Sequence, residues 1–177
     1  KKLNMYSQMA QVLSGFDPDG NVRLFDQDGD LTGITGKLSE VYFVNLSRLL
    51  VKDEVKKGSF SMVLGTGSAY TSSAGHGSRS TITDTGSLST YYTNSPAGEY
   101  GILSSSARGN VGLIYYQAGV AVLTSSIFHD GTGSAAVHFG ESSYQHISCS
   151  LTGTTINDNA NFVKARVTNI QFNNTTE

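Results

Sequence analysis

The chain has 177 residues, of which 38% are hydrophobic and only 15% charged, with a formal net charge of −2. That length holds one domain with a self-sufficient core, and 9 Tyr with 8 Phe exclude the charge-rich, aromatic-poor composition of a disordered chain. Basic residues gather only at Lys1–Lys2 and across Lys52, Lys56 and Lys57, which excludes the basic stripe that nucleic-acid binding uses to displace counterions.

Residues 3–13 carry a helical pattern, with Leu3, Tyr6, Met9 or Ala10, and Leu13 at three- and four-residue spacing. Gly15 is placed to stop that helix. Pro18-Asp19-Gly20 reads as a tight turn, Val22 to Phe25 as a short strand, and Asp28-Gly29 as a second turn. Residues 40–49 suit a strand in which Val41 and Phe43 alternate with Tyr42, Val44 and Leu46, so that both faces are covered. Val51 to Gly58 reads as one exposed helical turn, and Ser59 to Gly65 as a half-buried strand.

Gly65 to Gly77 holds Gly, Ser and Thr without period, which predicts a loop. Ser80 to Thr85 is a short strand, and Ser95 to Gly101 a turn leading into another. The strongest local signal is residues 109–128, where two apolar, β-favouring runs flank Gln117-Ala118-Gly119 as in a hairpin. Residues 141–160 are ambiguous, and Phe162 to Phe172 alternates like a last strand. The fold expected is mainly β: an antiparallel, β-sandwich-like domain with a short N-terminal helix and long Gly/Ser/Thr-rich loops. Residues 1–16 would form a helical arm, 17–35 a turn-rich hairpin, and 36–177 the β core.

Chemistry-bearing patterns are sparse. Asp26-x-Asp28-x-Asp30 opens like a calcium loop, but Gly29 takes the fourth position instead of the sixth and Lys37 stands where the twelfth-position Glu belongs. Two solvated Asp-Gly turns explain it better. His76, His129, His138 and His146 match no compact zinc spacing, and the paired acids Asp53-Glu54 read as a solvated turn. The lone Cys149 excludes an internal disulfide and fits assembly in a reducing cytoplasm. There is no Gly-x-Ser-x-Gly elbow, dinucleotide fingerprint or phosphate loop, so neither an enzyme nor a cofactor is expected. No run approaches the ~18 apolar residues of a membrane helix, so no membrane partner is expected. Tyr115 and Tyr116, one on each face of the hairpin, are interface anchors or core, and the two readings stay open. Tyr6 and Met9 of the helix are the other interface candidates.

Five blocks then carry a resemblance: NMYSQMAQVLSGFD (4–17), RLLVKDEVKKGSF (48–60), NSPAGEYGIL (94–103), GLIYYQAGVAVLTSSIF (112–128) and FNNTTE (172–177). Together and in this order they resemble a family of virion structural proteins from marine contractile-tailed phages, especially cyanophages. The resemblance implies a longer polypeptide, of which this chain is a fragment, with a variable stretch from His129 to Asn161. It implies a structural subunit of the tail, baseplate or neck, assembled in the host cytoplasm. Its partners would be other virion proteins and copies of itself, with no assigned catalytic residues. A receptor- or glycan-binding module using Tyr70, Tyr91 and Tyr92 is the alternative. A glycan hydrolase is a third, disfavoured because the acids cluster in turns.

Overall fold

The computed structural model describes residues 2–29, 34–38, 41–47, 53–65, 79–105, 109–124, 127 and 167–175, with the side chains of 2–6, 65 and 79 left out. Among these the chain opens with α1 (Lys2–Ser14), which ends where the spacing predicts. Gly15 adopts φ 77°, a left-handed stop, and its N–H donates to Gln11 O at 3.0 Å. Strands β1 (Phe25–Asp26) and β2 (Lys37–Leu38) pair antiparallel as a small ribbon. The strand expected at Val22 to Phe25 is thus displaced, and Val22 makes only a bridge to Phe16.

Then come β3 (Val41–Asn45), β4 (Glu54–Val55), β5 (Ser61–Gly65) and β6 (Arg79–Thr83). A 3-10 turn, Thr85–Leu88, leads to β7 (Tyr92–Ser95), β8 (Gly98–Ser105), β9 (Gly109–Tyr115) and β10 (Val120–Thr124). The described chain closes with β11 (Val167–Gln171) and β12 (Asn174–Thr175). One continuous sheet runs β11-β5-β6-β8-β9-β10-β3, with β7 also on β8, and all its pairings are antiparallel. The protein is mainly β, as the sequence predicts, and this eight-stranded sheet curls into a sandwich-like layering.

The expected hairpin forms two interior strands of the sheet, β9 and β10. Val120 opposes Tyr115, and Gly119 at φ 63° closes the four-residue loop with its N–H on Tyr115 O at 2.9 Å. All five residues of β10 and the last five of β9 are buried, because both faces of the sheet are covered here. One face holds a core of Val55, Phe60, Met62, Leu64, Ile82, Leu103, Ile114, Tyr116, Leu123 and their neighbours. The other holds Leu13, Phe25, Leu38, Tyr100, Leu113, Tyr115, Val120 and Val122, covered by α1 and the β1–β2 ribbon. A register shift between Leu103 and Ser104 leaves Val111 as an extra residue in β9 and turns it into the first core. β3 behaves as its alternation predicts: Tyr42 and Val44 pack on the first core, Val41 and Phe43 on the second.

Two expectations need correction. The helix is docked where an arm was expected, since Leu13 is buried and Met9 and Ala10 pack against the second core. The segment read as a helical turn at Val51 to Gly58 contains strand β4 instead, paired with β12. Val55 is fully buried and its N–H donates to Tyr116 O at 3.1 Å. A β-branched residue offered a slot between the hairpin loop and β12 takes the extended form. The expected loop at 65–77, the ambiguous 141–160 and the first half of Phe162 to Phe172 lie outside the described residues, apart from Gly65.

Candidate functional site

Three polar centres and one apolar face stand out, each built by a different part of the fold. The first centre is Asp84, buried immediately after β6. Its carboxylate accepts the N–H of Gly58 at 2.8 Å, the N–H of Phe60 at 2.9 Å and the Tyr116 hydroxyl at 3.1 Å. The approach to β5, the end of β6 and the β9–β10 hairpin loop are thereby tied to one side chain. Burial pushes the Asp84 carboxyl up from its ordinary value, outweighing the three donors that favour its charge. Beside it, Ser87 Oγ and the Tyr116 hydroxyl lie over Gly101, where any Cβ would run into both. Above Tyr116, Lys57 pairs with Glu99 and stands 4.5 Å from the Tyr91 ring centre.

Asp26 is the second centre. It accepts the Asp28 N–H at 3.2 Å and pairs with Lys37 Nζ. Burial and the neighbouring Asp28 carboxyl push the Asp26 carboxyl up, against the pull of Lys37. Of the calcium candidates Asp26, Asp28 and Asp30, the first two belong to this cluster. The Lys37 ammonium pairs with Asp26, and Asp30 lies outside the described residues. Among the described residues no three His, Cys, Asp or Glu gather to hold a metal. Asp17, in the preceding turn, spends its Oδ1 on the N–H groups of Asp19 and Asn21, at 3.0 and 2.8 Å. The four histidines and Cys149 also lie outside the described residues.

The third centre is a corner at Ser59. Its hydroxyl donates to Lys56 O at 2.6 Å and accepts the Asn173 N–H at 2.9 Å, joining the β4–β5 connection to the β11–β12 connection.

The interface candidates part company. Tyr115 and Tyr116 are 2% and 0% exposed, so both are core and neither presents a ring to a partner. The alternation assigned them to opposite faces, and they lie in opposite cores. Tyr115 belongs to an aromatic chain. Tyr92 stacks on Tyr100 at 5.3 Å, Tyr100 meets Tyr115 at 5.2 Å, and Phe25 packs edge-on to both Tyr115 and Phe43. Met9 is half-buried against the second core, and Tyr6 lies in α1 with its side chain not described. Of the aromatic residues suggested for glycan contact, Tyr91 is exposed, Tyr92 is half-buried in the stack, and Tyr70 lies outside the described residues.

The sequence reading missed the exposed apolar face. Val12, Phe16 and Leu24 are 65%, 54% and 50% exposed at the C-terminal end of α1. The Arg23 N–H on Gly15 O at 2.9 Å and the Phe16–Val22 bridge fold the following loop back beside the helix. The helical spacing places Met9 and Leu13 on one stripe and leaves Val12 off it, which is the one signal the sequence offered.

Compared with protein-family models, curated proteins and solved structures, the chain matches none. Among the described residues no helix is long and apolar enough to cross a membrane.

Proposed function

We propose that this chain is a structural subunit of a tailed-phage particle, in the tail, baseplate or neck, acting by assembly with other virion proteins and copies of itself. The observation that carries the reading is the apolar end of α1. Val12 turns outward on a helix that is itself clamped to the second core, and Phe16 and Leu24 are exposed on the loop that follows it. Covering each of these half-exposed side chains would contribute about 1–2 kcal/mol, part of the value for full burial. A rigid element presenting them loses little freedom on docking. The buried carboxylates support the same reading from the other side: Asp84 and Asp26 spend their oxygens on backbone N–H groups, a tyrosine and a lysine within the fold. Those are the bonds of a scaffold. The five sequence blocks that resemble contractile-tailed phage structural proteins suggest the particle context.

Mass spectrometry of gradient-purified particles of the encoding phage should recover this chain, and imaging at residue resolution should find Val12, Phe16 and Leu24 covered by a neighbour. The triple variant Val12→Ser, Phe16→Ser, Leu24→Ser should keep the wild-type melting temperature yet fail to enter particles. Particles that lack the chain would overturn the reading. Normal incorporation of the triple variant would overturn the choice of face.

A further inference from the structure

Residues 169–174 read NIQFNN, four carboxamides around two apolar side chains. On β11 the alternation turns Ile170 and Phe172 onto the first core, where they pack half-buried, and leaves Gln171 exposed. After Phe172 the chain leaves β5 and crosses to β4, and the Ser59 hydroxyl fixes that corner. The Lys56 N–H adds a bond of 2.8 Å to Asn173 O. A depression of about 540 Å³ lies at the corner, lined by Ser59, Ile170, Gln171, Phe172, Asn173 and Asn174.

We propose that this depression binds an uncharged oligosaccharide, an activity separate from the assembly role. Among the described residues the lining carries no ionisable side chain that would offer an anion or a cation a counter-charge. A carboxamide offers a donor and an acceptor together, as each sugar hydroxyl does, so the exposed Gln171 and Asn173 suit a hydroxyl-rich ligand. Ile170 and Phe172 supply apolar surface for the C–H face of a pyranose ring. The volume falls within the roughly 300–1,000 Å³ of small-ligand sites, room for two or three sugar units. The wall is also pre-ordered: strand pairing holds it on both sides of the corner, so little is immobilised on binding. An extended peptide is the competing occupant, and charge gives no reason to prefer it.

The test uses the full chain, first on an array of uncharged glycans, then by amide chemical-shift titration with the best responder. Sialyllactose serves as the charged control and a neutral octapeptide as the competing ligand. Saturable shifts should cluster at residues 59 and 170–174. The double variant Gln171→Ala, Asn173→Ala alters two exposed side chains and leaves the corner's backbone bonds in place. It should retain the wild-type melting temperature and bind at least about tenfold more weakly, the loss expected for about 1.4 kcal/mol. No response to any uncharged glycan, shifts centred elsewhere, undiminished affinity in the double variant, or a response to the peptide or sialyllactose alone would each overturn the proposal.

Discussion

Asp84 shows how one side chain can decide whether the sheet holds together. It lies where β6 ends, and its two oxygens take donors from Gly58, Phe60 and Tyr116, while its own N–H donates to Phe60 O at 3.4 Å. Removing the carboxylate orphans two buried donors, the Phe60 N–H and the Tyr116 hydroxyl, and the part-buried Gly58 N–H, and each orphaned buried donor costs about 1–3 kcal/mol. Asp84→Ala is therefore expected to destabilise the fold by more than about 3 kcal/mol in urea denaturation, and to loosen the loop that carries Tyr116. Stability within about 1 kcal/mol of wild type would show that the hub is dispensable. Nothing in Ile82-Thr83-Asp84-Thr85-Gly86 distinguished this aspartate from an ordinary turn residue. Its partners lie 24 to 32 residues away, and local pattern carries no information about such pairings. Asp26 was singled out by its spacing to Asp28 and Asp30, but its lysine partner is 11 residues on.

At the scale of elements, the β9–β10 hairpin was the most legible part of the chain. Its two apolar runs and Gly119 are contiguous in sequence, so turn chemistry and strand preference agree without help from the rest of the fold. Helix α1 was legible for the same reason, including its stop at Gly15. Strand β4 was not, because two residues, Glu54 and Val55, form it only through β12. The ribbon also drifted, since the pairing of Phe25 with Leu38 depends on contacts to the second core. Val120 and Val122 of β10 both face that core. Val120→Asp with Val122→Asp would bury two unpaired charges under α1, a cost that exceeds the stability of a typical domain. The double variant is expected to give the circular dichroism and amide spectrum of an unfolded chain. A soluble, dispersed spectrum would show that the second core does not organise the sheet.

Across the whole molecule, the tyrosines report how the fold answers to alkali. Burial, with Tyr92 nearby, pushes the Tyr100 phenol from 10.0 up to about 12. Burial pushes Tyr115 and Tyr116 up further still. The unfolded chain releases these protons near pH 10, whereas the folded chain keeps them to higher pH. The stability that these three phenols contribute is therefore complete below about pH 10 and is lost as pH rises through the folded values. The urea midpoint should fall above about pH 10, and a near-ultraviolet titration should split the 9 Tyr into an early set and a late set that ionises as the fold opens. A single ionisation step for all of them, with the fold intact, would contradict the two-core packing. Conversely, the general character of the molecule, mainly β and antiparallel, was readable from composition and alternation. Its continuity as one curled sheet depends on which strand finds which, and the β6–β8 and β11–β5 pairings join segments that no local signal connects.

The pairing of β11 with β5 has a consequence for how the protein is made. Ser61 to Leu64 bond to β6 on one side and to residues 167–171 on the other. During synthesis, about 100 further residues must leave the ribosome before that second edge is closed. Until then Met62 and Leu64 sit on a strand with an open flank, a ready template for a neighbouring nascent chain. Such long-range closure makes for slow maturation, so the yield of native protein should depend on how crowded translation is as well as on how stable the finished sheet becomes.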